Sequence, residues 1–229
     1  MTSFYSEKHK FLLAVDCIIF GFHESELNLL LLHRNFEPEK GKLSLPGGFL
    51  KDSESLNDAA IRVLNELTGL ENLYMEQVHA FGDVNRDSGE RVVSVAYYAL
   101  ININDYDTSL LDKYNAIWVK ATEVPKLVFD HSTMVKSARQ ALRKRTAVEP
   151  VGFNLLPEKF TLPQFQTLYE AIYGEVLDKR NFRKKVLNMN VLEKLNEKDK
   201  LSSKRGAFLY RFNEGKYKEF LSKGYDFTI

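Results

Sequence analysis

The 229 residues include one cysteine, one tryptophan and six prolines, and the formal net charge is only +1. A single thiol excludes an internal disulfide and suits a reducing compartment. Cys17 sits in an apolar run and reads as a small buried hydrophobe rather than a nucleophile. No apolar run reaches the roughly 18 residues that a membrane-spanning helix needs. Residues 1–10 are polar and lack the apolar core of a secretory signal, so a cytoplasmic location is expected. The near-zero charge hides an asymmetry. From residue 150 to 229 there are 15 Lys and Arg against 10 Asp and Glu, and the first 149 residues hold the other 17 of the 32 cations and the other 21 of the 31 anions. A basic C-terminal third behind an acidic N-terminal part points to a module for a polyanion.

Residues 11–22 and 27–33 are apolar runs separated by His23-Glu24-Ser25-Glu26, the pattern of a hairpin. Asp16 interrupts the first run, and a carboxylate inside an apolar strand requires a partner or a ligand. Residues 43–46 alternate as a short strand leading into Gly47-Gly48. Strands are expected at 74–81, 91–103 and 116–120 from their β-branched and aromatic content. A helix is expected over 132–145, capped by Asp130-His131-Ser132 and basic at its end. Elements in this order make an α/β sandwich with a mixed sheet.

Between the strands at 43–46 and 74–81 lie a two-glycine loop, a capping residue (Asp52 or Ser53) and a helix. Leu56, Ala59, Ala60, Val63, Leu64 and Leu67 follow i, i+3, i+4, i+7, i+8, i+11, a continuous apolar stripe. Asp58, Arg62 and Glu66 follow i, i+4, i+8, a charge ladder on another face. The spacing of Gly48, Glu54, Arg62, Leu64, Glu66, Gly69 and Leu70 resembles the Nudix box. Val63 and Leu67 stand where that family places two helix carboxylates. In Nudix hydrolases those carboxylates hold divalent cations that activate water against a pyrophosphate. Magnesium needs oxygen ligands in near-octahedral array, and positions 63, 66 and 67 share about one helical turn, so Glu66 alone is a poor site. The resemblance covers residues 11–145. It implies a Nudix-like fold with a degenerate box, and no catalytic residue, metal or cofactor is expected. Phe81-Gly82-Asp83, residues 91–97 and Phe129-Asp130-His131 look most like the ADP-ribose pyrophosphatase branch.

Residues 150–157, between prolines, read as the junction of two domains, 1–149 and 150–229. Beyond it, Thr161 caps and Pro163 suits the first turn of a helix with Phe165, Leu168, Tyr169 and Ile172 on its apolar face. Tyr173-Gly174-Glu175 is a turn, and Asp178 caps a second helix over 179–189. Lys179, Arg180, Asn181, Arg183, Lys184 and Lys185 crowd that helix, with Phe182, Val186 and Leu187 as its docking edge. Cations this dense repel one another unless a polyanion binds, and Arg180 and Asn181 are residue types that read guanine and adenine edges. Two strands, 191–195 and 208–212, flank a polar loop over 196–206 with Lys204 and Arg205. Helix, turn, helix and charged hairpin describe a winged helix whose wing touches phosphate or the minor groove. A plainly solvated basic face is the alternative.

The C-terminal motifs, residues 160–170, 180–185 and 209–212, resemble the winged helix of the Nudix-related transcriptional regulators, the NrtR family. That resemblance implies a homodimer on double-stranded operator DNA, released or recruited by a small effector in the Nudix-like domain. It looks closest to the arabinose-responsive AraR branch, which implies L-arabinose, with ADP-ribose as the other family effector. In the old substrate cleft the candidate effector residues are Asp16, Arg34, Lys42, Ser44, Phe49, Glu66, Asp83, Tyr97, Asp130 and His131. A polyol wants carboxylates against its hydroxyls and an aromatic face against its apolar side. Plainer readings exist: Asp130 as a cap, His131 as a first-turn residue, Asp16 as a satisfied strand carboxylate. The competing functions are an active hydrolase of nucleoside diphosphate derivatives and a DNA-binding module without an effector.

Overall fold

A computed structural model describes residues 4, 7–69, 71–105, 109–200 and 206–229. Strands β1 (Leu12–His23) and β2 (Glu26–His33) form the expected hairpin. Its turn residues Glu24 and Ser25 both take positive φ, 49° and 67°, the twist that a two-residue hairpin turn requires. Strand β3 (Leu43–Ser44) pairs antiparallel with the end of β2. The two glycines expected in a loop instead open a strand, β4 (Gly47–Phe49), antiparallel to β1. A Cβ on Gly47 would collide with the Asp16 carboxylate, so only glycine lets β4 pass so close.

Helix α1 (Leu56–Thr68) is capped by Ser55, not by Asp52 or Ser53. Ser55 Oγ accepts the Asp58 N–H at 3.2 Å and the Asp58 carboxylate accepts the Ser55 N–H at 3.1 Å, a reciprocal capping box. Strands β5 (Tyr74–Phe81), β6 (Val92–Asn102) and β7 (Ala116–Lys120) complete the sheet. A short helix α2 (Ser109–Tyr114) precedes β7, and α3 runs His131–Val148. Strand order is β3-β2-β1-β6-β5, with β4 on β1 and β7 on β2. The β1–β6 pair is parallel and the other pairings in this sheet are antiparallel, so the sheet is mixed. Period-2 alternation sends Val15, Cys17 and Ile19 to the α1 side and Ile18 and Phe20 to the α3 side.

The segment after α3 is a buried 3-10 helix, Pro150–Leu155. Gly152 lets it lie against the Tyr169 ring, which a Cβ would meet at 3.2 Å. Then come β8 (Phe160–Thr161), α4 (Leu162–Tyr173), α5 (Lys179–Asn188), β9 (Leu192–Asp199), β10 (Ala207–Phe212) and α6 (Glu214–Ser222), with sheet order β8-β10-β9. This is a winged helix followed by an extra C-terminal helix. Its core is continuous with the α3 side of the large sheet: Phe165, Tyr169 and Val186 join one cluster with Leu29, Leu31, Met134 and Leu142. Within the C-terminal part, Phe153 stacks 4.6 Å from Phe165 and 4.4 Å from Phe212. Among the described residues no helix is long and apolar enough to cross a membrane.

Candidate functional site

A cavity of about 310 Å³ opens where β1, β2, β4 and the start of α3 meet. Its buried lining holds four polar side chains, Asp16, Ser44, Arg86 and His131, beside the apolar Ala14, Leu45 and Val92. Its outer lining is aromatic: Phe36, Phe49 and Phe129, with Arg34 4.2 Å over Phe36 and 5.2 Å over Phe129. Lys113, Tyr114 and Asn115 also line it.

Strand alternation aims Asp16 at the α3 side, where Ser94 Oγ donates to its Oδ2 at 2.6 Å. Arg86, from the loop between β5 and β6, is buried and donates Nε and Nη2 to the Asp130 carboxylate at 2.9 and 2.8 Å. The same Nη2 lies 3.6 Å from Asp16 Oδ2. His131 Nδ1 accepts the Leu45 N–H at 2.9 Å, so the neutral ring carries its proton on Nε2, 3.7 Å from Asp16 Oδ1. Burial lowers the His131 pKa, against the opposing pull of Asp16 and Asp130. Two carboxylates therefore share one guanidinium and a neutral imidazole. Such a site has acceptor capacity to spare, which suits a ligand that brings hydroxyl or N–H donors.

Five of the ten expected effector residues line this cavity: Asp16, Arg34, Ser44, Phe49 and His131. The other five do not. Lys42 pairs with Glu39 on an exposed turn. Asp83 is exposed, and its carbonyl accepts from Arg91 at 3.1 Å. Tyr97 points to the α1 side by alternation, where its hydroxyl meets Asn57 Oδ1 at 2.9 Å. Glu66 is exposed on α1, 4.0 Å from Arg62. Asp130 stands just behind the lining. It occupies the cap position of α3 but makes no cap bond, because Arg86 takes its carboxylate. Arg86 was invisible in the sequence: it sits in a turn-rich loop, and its partner is 44 residues away.

The α1 face is closed. Val63 and Leu67 are 3% and 7% exposed and pack in the core beneath the sheet. Arg62 donates to Glu54 through Nε at 2.9 Å and Nη2 at 2.6 Å, and to the Phe49 carbonyl at 3.1 Å. These bonds hold the Glu54 carboxyl down to about 2. Asp58 is spent on the cap, so the expected ladder reduces to Arg62 and Glu66. Leu70 lies outside the described residues. Among the described residues no cluster of three or more His, Cys, Asp or Glu is placed to hold a metal ion.

On α5, Lys179, Arg180, Asn181, Arg183, Lys184 and Lys185 are all exposed, and none of these side chains forms an ion pair or hydrogen bond among the described residues. Asp178 Oδ1 caps the helix by accepting the Asn181 N–H at 2.7 Å. Phe182, Val186 and Met189 dock it on the core; Leu187, expected on that edge, is 41% exposed. The wing is longer than expected, since β9 runs on through Asp199. On it Lys194 and Lys198 lie 3.7 and 4.7 Å from the Phe208 ring centre. Lys204 and Arg205 lie outside the described residues.

Comparison with known proteins supplies the frame for both sites. The NUDIX domain profile matches residues 10–138, and the profile of the NrtR DNA-binding winged helix domain matches residues 152–212. The ADPR responsive transcriptional repressor NtrR of Acinetobacter baylyi is 36% identical over 205 residues, covering 88% of this chain and 82% of the relative. The ADP-ribose pyrophosphatase of Methanocaldococcus jannaschii is 27% identical over 130 residues, 57% of this chain and 76% of the relative. The crystal structure of Shewanella oneidensis NrtR complexed with a 27mer DNA superposes with a TM-score of 0.81 at 29% identity, over 94% of this chain and 97% of that one.

Proposed function

Because the chain belongs to the NrtR family, in which a Nudix domain precedes a DNA-binding winged helix, we propose that it is a ligand-responsive transcriptional regulator. The observation that carries the DNA half is the row of unpaired cations on α5. A helix docked by Phe182 and Val186 offers Arg180 and Asn181 near its N-terminus to base edges, and Lys179, Arg183, Lys184 and Lys185 to phosphate. Lys194 and Lys198 extend that surface along the wing; Lys204 and Arg205, expected there, lie outside the described residues. Two copies read the two halves of an operator about one DNA turn apart, in the cytoplasm.

The effector occupies the Asp16 cavity, and we infer a small polyhydroxylated sugar, L-arabinose first. Spare carboxylate acceptors meet hydroxyl donors; Phe36, Phe49 and Phe129 meet the apolar face of a sugar ring. The cavity is at the small end of the range for ligand sites. The α1 side, where the family's hydrolases hold metal and pyrophosphate, is filled by Val63 and Leu67 and closed by Glu54–Arg62. On this reading the domain does not hydrolyse pyrophosphates. ADP-ribose is the second reading, supported by the 36% identical repressor whose name gives that effector. Calorimetric titration with each compound decides. Binding of L-arabinose that is lost in Asp16→Asn supports the sugar. Binding of ADP-ribose instead moves the assignment to the nucleotide, and magnesium-dependent turnover would overturn the loss of hydrolysis.

A further inference from the structure

We propose that Arg86 reads the effector and that its ion pair with Asp130 passes the reading along α3 to the helix-turn-helix. The inference rests on the placement of the effector in the Asp16 cavity.

Arg86 spends Nε and Nη2 on Asp130, while Nη1 has no partner among the described residues and the side chain lines the cavity. Asp16 Oδ2 is bonded to Ser94, but among the described residues Oδ1 has only His131 at 3.7 Å, too long for a hydrogen bond. A donor on Arg86 and an acceptor on Asp16 thus stand side by side. Neighbouring hydroxyls of a polyol match that pair: one accepts from Nη1 and the other donates to Oδ1. A ligand held between Nη1 and Oδ1 draws Arg86 toward Asp16 and lengthens its two bonds to Asp130.

Asp130 is the residue on which α3 begins. A freed carboxylate there can turn to the Ser132 N–H, the first-turn donor without a partner among the described residues, which it does not cap while bound to Arg86. The residue before it, Phe129, is a non-glycine residue at φ 49° and also lines the cavity. Effector contact, backbone strain and the helix start therefore coincide at Phe129, Asp130 and His131.

From there α3 runs 18 residues, about 27 Å, to the winged helix. Its last turns touch the DNA-binding part directly. Tyr169 on α4 donates its hydroxyl to the Thr146 carbonyl at 3.3 Å. Arg143 pairs with Glu175 at 3.4 Å and lies 5.5 Å from the Tyr173 ring centre. Tyr173 and Glu175 flank Gly174, the turn between α4 and α5. A shift at the start of α3 reaches the presentation of α5 through one continuous helix whose inner face is buried.

The test uses the full chain, its promoter DNA, and L-arabinose and ADP-ribose as probes. Ligand affinity is measured by calorimetry and DNA affinity by titration with and without each compound. The wild type should change its DNA affinity about fivefold or more with one of them. Arg86→Gln should lose ligand affinity about tenfold or more. Asp130→Asn should keep binding the ligand yet lose the DNA response, to about twofold or less. A full DNA response in Asp130→Asn overturns the coupling and leaves the cavity assignment standing. Unchanged ligand affinity in Asp16→Asn overturns the cavity assignment itself. Should Asp130→Asn fail to melt as a folded protein, Phe129→Gly decides. It relieves the positive φ without touching charge, and should move ligand-free DNA affinity toward the liganded value. Unchanged affinity and unchanged response in that variant overturn the proposal.

Discussion

Helices α1 and α5 are both amphipathic and both charged, and they use their charge in opposite ways. On α1 the charges are answered within the protein. Arg62 closes on Glu54 and approaches Glu66, and Asp58 closes on Ser55. On α5 five cations and an asparagine crowd the outer face, and no described residue answers them. The family likeness sits in the same two helices, yet one has become framework and the other stays open to a partner. Paired charge holds a fold together; charge left unpaired at some cost in self-repulsion marks a surface built for something else.

That contrast can be broken from either side. The largest effect is expected where its logic is reversed inside the core. Val63→Glu puts a lone carboxylate at a position 3% exposed, and should destabilise the chain by roughly 3–5 kcal/mol in denaturant titration. A small loss would mean that the old metal face still opens to water. Phe165→Ala should cost about 3–5 kcal/mol, since Phe165 sits in the cluster shared by both parts. The same cluster predicts a single cooperative melting transition for the whole chain; two resolved transitions would show separable domains.

Next comes the open helix. Arg180→Ala should cost about 1–3 kcal/mol of operator affinity and relax sequence preference, without lowering thermal stability. Lys184→Ala should weaken all DNA alike and reduce the salt slope by about 1. A change in α5 that lowers stability but not DNA binding would make the basic face an ordinary solvated one.

The smallest effects concern pH. Glu54 has a depressed carboxyl, so its contribution is present above about pH 4.5 and is lost as pH falls toward 2. Arg62→Met should remove that dependence and leave DNA titration unchanged. His131 has a lowered pKa, so the unfolded chain binds the extra proton first. Its contribution is present above the ordinary histidine value and declines as pH falls below about 6.5. A melting series across that range, flattened in His131→Asn, checks the sign.

Much of this architecture could be read from local pattern. The stripe on α1 and the turn at Gly174 are period and turn chemistry, and both stand as expected. So does Asp16, since a carboxylate in an apolar strand announces a partner. What pattern could not supply was geometry between distant segments. Tyr97 was one residue out of phase with the cavity, because alternation sends it under the sheet. Asp130 looked like a cap and is an ion-pair partner, since nothing local tells of an arginine 44 residues earlier. Prolines around 150–157 marked a domain junction, but pattern could not show that it is a 3-10 helix with Val151, Gly152 and Leu155 buried. Helix α6 carries too weak an apolar stripe to be noticed in sequence; among its residues none is buried.

The central claim is that this chain reads DNA with α5 under the control of a ligand held at Asp16. The most direct measurement is a titration of its promoter DNA at two salt concentrations, with and without L-arabinose and ADP-ribose. The account predicts salt-sensitive, sequence-preferring binding that one of the two compounds changes about fivefold or more. Absence of DNA binding at moderate salt, or binding indifferent to both compounds while either is bound in the cavity, would contradict it.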